Sequence, residues 1–150
     1  MNRLLKKTVI FIIVTLLAIQ LIRVDKTHPP IDDSITLKTS KDVMSILKKG
    51  CYDCHSYETK WPYYSDIAPV SFFVASHVKK GRKAMNFSLW NKMDEKVKAQ
   101  RLKRAIETVN NGRMALPSYL SAHEEARLSK DEKATLTTWF KNELKILQSE

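Results

Sequence analysis

Cysteine is scarce in this 150-residue chain, and both thiols fall within one pentapeptide, Cys51-Tyr52-Asp53-Cys54-His55. There is no second cysteine pair, and the other histidines, His28, His77 and His123, are scattered. The four N or S ligands of a structural zinc site are therefore not assembled. No run alternates apolar and polar residues in the strand period around the pair, which argues against the βαβ setting of a thioredoxin-type dithiol. Internal repeats and low-complexity tracts are lacking as well. No basic patch is interleaved with exposed aromatics in a way that would stack on bases, so nucleic acid is set aside as a partner.

What is present is C-x-x-C-H, the pattern of covalent c-type haem attachment. Two thiols two residues apart can each add to one haem vinyl group, leaving two thioethers and setting the adjacent imidazole beneath the iron. On this reading Cys51 and Cys54 tether one covalent haem c and His55 is its proximal ligand. The chief competitor is a dithiol site in which Cys51 is the nucleophile and Cys54 the resolving thiol.

The N-terminus carries a second signal. Arg3, Lys6 and Lys7 precede a charge-free run from Thr8 to Ile22. A run of this length reads as a membrane anchor or as the apolar part of a signal peptide. No small-x-small cleavage site follows, because Gln20-Leu21-Ile22-Arg23-Val24-Asp25 is bulky and charged there. The expectation is an uncleaved transmembrane or signal-anchor helix over residues 1–23 with its basic end in the cytoplasm. The remainder would then face the periplasm from the inner membrane, in a compartment where C-x-x-C pairs are handled and haem is attached. Residues 24–38, with His28-Pro29-Pro30 and Asp32-Asp33-Ser34, read as a linker, and 39–150 as the haem-binding domain.

The formal net charge is +10. Residues 1–23 hold four of the 26 basic residues and none of the 16 acidic ones, so the rest carries +6. A surface of that sign suits an acidic redox partner or anionic headgroups.

Helical signals dominate the domain. Ser40 is an N-cap for a helix bearing Val43, Met44, Ile46 and Leu47 that Gly50 stops. The stretch Ser56 to Ser65, aromatic-rich and broken by Pro62, suits a loop packed on a flat apolar object such as a haem face, with Trp61 as the packing ring. Pro69 opens a second helix with Val70, Phe73, Val74 and Val78 on one stripe, His77 beside them, and Gly81 as its end. Asn86 caps a short segment with Leu89 and Trp90. A third helix runs from Asp94 to about Asn110 and ends at Asn111-Gly112. Ser129 and Glu132 form a capping box for the last, whose face is Leu136, Trp139, Phe140, Leu144 and Leu147. The expected fold is all-α and compact.

The second axial ligand of a bound iron has few candidates: Met114, His123, His77, or none. Met114 sits in the turn-rich loop Asn110 to Pro117, a place from which a thioether can reach over the distal face. Ordinary core filling is the alternative role for a methionine.

The stretch Cys51 to Ser65, with Asn86-Phe87-Ser88-Leu89-Trp90, Met114-Ala115-Leu116-Pro117-Ser118-Tyr119 and Leu128-Ser129, resembles the small bacterial haem-binding domain family over about residues 40–145. That resemblance implies a cytochrome c-like helical domain with haem on Cys51 and Cys54, His55 proximal and the methionine of the Met-x-x-Pro region distal. Family members commonly have proline directly after the methionine, whereas Ala115 and Leu116 intervene here.

The expected function is electron transfer by a single-haem c-type cytochrome, without acid, base or nucleophile and so without enzymatic chemistry. A haem-based ligand sensor and a membrane-tethered dithiol oxidoreductase are the alternatives. A peroxidase lacks an identifiable distal histidine and arginine pair.

Overall fold

The computed structural model describes residues 2–149, and every regular element among them is helical. Seven α-helices follow one another: α1 (Arg3–Ile19), α2 (Lys41–Gly50), α3 (Tyr52–His55), α4 (Val70–Ala84), α5 (Glu95–Asn110), α6 (Pro117–Leu120) and α7 (Lys130–Ser149). Short 3₁₀ turns at Tyr63–Asp66, Phe87–Lys92 and Glu124–Ala126 join them. The all-α expectation holds.

The capping residues act as their chemistry dictates. Ser40 accepts from the Val43 amide at 3.4 Å, and Asp94 from the Val97 amide at 3.1 Å. Ser129 and Glu132 bond reciprocally, at 2.7 and 3.1 Å, satisfying two of the donors that a helix start leaves free. Lys49 on α2 adds its ammonium to the same carboxylate at 2.8 Å, which pins α2 to the start of α7.

The core lies where α5 and α7 pack together and α2 packs on α7. Leu47, Leu102 and Leu136 are fully enclosed there. From this aliphatic centre a chain of rings leads to the cysteine motif. Trp139 lies 5.9 Å from Trp90, Trp90 is 6.1 Å from Phe87, and Phe87 stacks on Tyr52 at 5.4 Å. The motif is thus seated on the core by its own second residue.

α4 crosses α3 at very short range. A Cβ on Gly81 would run into the Cys54 carbonyl, with the carbonyl carbon 2.9 Å away. Gly81 therefore does not end α4, which continues to Ala84. Its bare Cα is what lets the helix lie against the motif.

The N-terminus departs from expectation. α1 has 17 residues, about 26 Å at the usual rise, against a hydrocarbon core of about 30 Å. Arg3, Lys6 and Lys7 occupy its opening turns. Among the described residues no helix is long and apolar enough to cross a membrane, so the expected transmembrane helix finds no support in the fold. At its C-terminal end the Gln20 side-chain amide reaches the domain, where it exchanges two 2.9 Å hydrogen bonds with the Ala68 main chain. No residue of α1 is buried.

The segment 24–38 runs along the domain. Lys26 pairs with Asp66 at 2.6 Å, His28 stacks on Tyr57 at 5.4 Å, and Leu37 joins the core while its amide donates to the Phe87 carbonyl at 2.9 Å.

Candidate functional site

Cys51, Cys54 and His55 lie on and beside α3, a single turn too short to hold itself. Local bonds make up the difference: the His55 amide donates to the Cys51 carbonyl at 2.9 Å, and Ser56 Oγ donates to the Tyr52 carbonyl at 2.8 Å. Asp53 fastens the motif to its surroundings. Its carboxylate accepts from the Lys60 amide at 2.9 Å and from the Tyr119 hydroxyl at 2.7 Å, tying α3 to the adjoining loop and to α6.

The imidazole of His55 is oriented from behind. Nδ1 lies 3.0 Å from the Met85 carbonyl, which can only accept, so Nδ1 carries the proton and Nε2 is left free to bind a metal. Phe87 flanks the ring at 6.2 Å. Burial pushes the His55 pKa below its ordinary value, and the Met85 carbonyl partly opposes this by favouring the protonated ring. A neutral imidazole with a free Nε2 is the ligand form.

Two cavities, of about 300 and 100 Å³, meet at this ring and share Cys51, His55, Ala84 and Met114. The larger also reaches Cys54, Gly81 and Leu116, and the smaller reaches Phe87, Val109 and Phe140. Their walls are largely apolar. Cations stand along them: Lys80 on α4, and Arg101 and Arg104 on α5. A free imidazole nitrogen, two thiols and a thioether thus converge on one apolar space, which fits a flat iron porphyrin with two carboxylates to neutralise.

Both thiols are deactivated. Burial raises Cys51 to about 12, with Cys54 adding to the shift, and raises Cys54 to about 11, helped by Asp53 and opposed by Arg82. A redox-active dithiol needs its first thiolate stabilised, the opposite trend.

Other sequence-predicted residues fall elsewhere. Trp61 does not pack on this space: its ring lies under the Lys26 ammonium at 5.2 Å and lines a separate cleft with Val24 and Phe72. The 24–28 segment takes this ring through Lys26. His123 has both ring nitrogens engaged, Nε2 with the Tyr64 hydroxyl at 2.8 Å and Nδ1 with Glu125 at 3.1 Å, so it offers no lone pair to iron. His77 lines the larger cavity from α4, with Nδ1 bonded to the Phe73 carbonyl at 2.9 Å.

The supports that sequence reading missed have little signal of their own. The Met85 carbonyl is main chain, which no side-chain pattern announces. Gly81 was legible as special but pointed to a helix end. Asp53 occupies a variable position of the motif, and its partner Tyr119 lies 66 residues away.

An all-helical domain that gathers a free imidazole nitrogen and two half-buried thiols around an apolar cavity is a binding domain for a porphyrin-type cofactor. The chain belongs to the haem-binding domain family, whose pattern matches residues 14–142. It binds haem. No curated protein and no solved structure matches the chain.

Proposed function

We propose that this protein is a single-haem c-type cytochrome that passes electrons outside the cytoplasm, with haem held covalently by Cys51 and Cys54 between His55 and Met114. The observation that carries this reading is the convergence of those four side chains on one cavity. Haem supplies a one-electron ferric/ferrous couple there. His55, its tautomer set by Met85, provides the proximal nitrogen. Met114, which lines the same cavity, would supply a neutral thioether, a ligand that raises the potential relative to a bis-histidine site.

The remaining residues tune and shield. Arg101, Arg104 and Lys80 offer charge-assisted hydrogen bonds to carboxylates. Ala84, Phe87 and Leu116 keep water off the metal. No group on the chain has to act as acid, base or nucleophile, so the reading assigns no enzymatic step.

Charge and the N-terminal segment support the proposed location and partner. The basic start and apolar run of α1 suit an export segment. The +6 carried beyond residue 23 suits an acidic redox protein, whose approach it would steer. A dithiol oxidoreductase fits poorly with thiols whose burial disfavours the thiolate.

The test is direct. Protein made together with haem-attachment machinery is expected to gain the mass of one haem and to keep its Soret absorbance through acid-acetone extraction. A colourless product with two titratable thiols would overturn the proposal.

A further inference from the structure

The cleft that holds the Trp61 ring, of about 700 Å³, shares no residue with the two cavities that meet at His55. Helix geometry keeps them apart. His77, Lys80, Gly81 and Ala84 of α4 line the larger His55 cavity, a single stripe at spacings of three and four residues. Phe72, Ala75, Ser76, Lys79, Arg82 and Lys83 of the same helix line the cleft and form a second stripe. At the usual helical pitch the centres of the two stripes lie roughly 150° apart. α4 therefore stands between the cleft and the haem space.

The charges lining this cleft do not balance. Arg82 is half-buried, and neutral groups fix its guanidinium: Nε donates to the Ser56 carbonyl at 2.9 Å, Nη2 to Thr59 Oγ1 at 3.0 Å, and the Tyr57 ring lies 5.2 Å away against its face. The other N–H groups of the fork are left for a further partner. Among the described residues no carboxylate pairs with Arg82, Lys79 or Lys83. The acidic residue of the cleft, Asp25, instead accepts from the Thr27 amide at 2.8 Å, and Lys26 is paired with Asp66. Burial pulls the Arg82 pKa below its ordinary value, as expected of a cation withdrawn from water without a counter-ion. The remaining walls, among them Val24, Tyr57, Trp61 and Leu89, are aromatic or aliphatic.

A cleft of this volume, with apolar walls and a few fixed donors, has the make-up of a small-molecule site. An inorganic ion would satisfy the cations and leave the rings bare, and an uncharged hydrocarbon would do the reverse. We propose that this cleft binds a small organic anion of the aromatic carboxylate class, its ring against Trp61 and Phe72 and its carboxylate on the unengaged N–H groups of Arg82, with Lys79 and Lys83 beside it. A planar carboxylate matches the guanidinium fork. Val24 and Asp25 form the wall facing α4, so an occupant bridges the segment after α1 to that helix. The inference goes beyond the cytochrome reading and does not rest on it.

The experiment uses full-chain holoprotein, its haem checked by mass, in an uncharged detergent. 2-Naphthoate, the neutral 2-naphthalenemethanol and acetate are compared at matched free concentrations. Binding is followed by NMR of the ferrous protein at the Trp61 indole and the methyls of Val24 and Leu89. 2-Naphthoate is expected to shift all three saturably, the alcohol to bind about tenfold more weakly for want of a charge-assisted pair, and acetate to leave the signals in place. Lys79→Glu with Lys83→Glu, which spares the hydrogen bonds of Arg82, should weaken 2-naphthoate about tenfold. Lys141→Glu with Lys145→Glu on α7 makes the same change in net charge and should alter binding less than about twofold. Equal binding of 2-naphthoate and either comparison compound, equal weakening by the two double variants, or shifts at Met114 instead of Trp61 would overturn the inference. A product without haem would overturn the cytochrome reading and leave this test in place.

Discussion

Nδ1 of His55 lies 3.0 Å from the carbonyl oxygen of Met85, the residue that ends α4. That bond links the orientation of the His55 ring to the position of a helix end 30 residues away. Met85 can present its carbonyl because the chain turns extended there, at φ −160° and ψ 131°. Whatever moves α4 relative to α3 therefore moves the imidazole.

Gly81→Ala tests that coupling. Alanine in an ordinary helix interior is worth up to about 1 kcal/mol over glycine. Here the new methyl would meet the Cys54 main chain, so the expected sign is reversed and the loss is about 1–3 kcal/mol. Gly112→Ala is a useful contrast, since its Cβ meets nothing but its φ of +73° is left-handed, and about 1 kcal/mol should be lost through the backbone alone. Urea unfolding measures both. A stabilised Gly81→Ala protein would show that α3 and α4 are farther apart than described.

Met114→Ala should remove the distal thioether without disturbing haem attachment. The weak near-infrared methionine-to-iron band is expected to vanish, and carbon monoxide to bind the reduced variant rapidly where wild type binds it slowly. An unchanged band would assign the distal position to another residue, with His77 the first to examine, because it lines the same cavity.

Tyr119→Phe removes only a hydroxyl that donates to Asp53. A hydrogen bond to a carboxylate contributes about 1.5–3 kcal/mol. The variant should lose stability in that range at neutral pH, and the segment Met114–His123 should exchange its amides faster. Unchanged exchange would mean that α6 is held by its apolar contacts alone.

The capping box of α7 has a pH signature. Glu132 is held below the usual glutamate value by its hydrogen bonds to Lys49 and the Ser129 amide, partly opposed by desolvation. A lowered folded pKa means that the stabilisation is complete above the unfolded value of about 4.3 and is lost as pH falls through the folded one. In Glu132→Gln the melting temperature should drop at neutral pH and lose less on acidification over that window than in wild type. Parallel curves for the two proteins would dismiss the coupling.

Much of the helical scaffold was legible because its signals are local. Ser40, Asp94 and the Ser129–Glu132 pair cap helices through bonds that span three residues, and apolar stripes record which face is buried. Gly81 shows the limit. Its residue type announced a special backbone position, but the cause is a crossing helix, and a linear pattern cannot tell a helix end from a close approach. Trp61 shows a different limit. An aromatic loop beside a haem motif has two sides, and only the docking of residues 24–28 determined which side that ring would take.

By itself the sequence pointed to haem, because two thiols and an imidazole at this spacing fall within five residues. It determined the all-helical class as well, since periodicity and caps are near-neighbour properties. Only the tertiary structure decided which main-chain partner orients the His55 imidazole and which rings face the cavity. Each of those depends on hydrogen-bond partners that lie tens of residues apart and meet only when the helices pack.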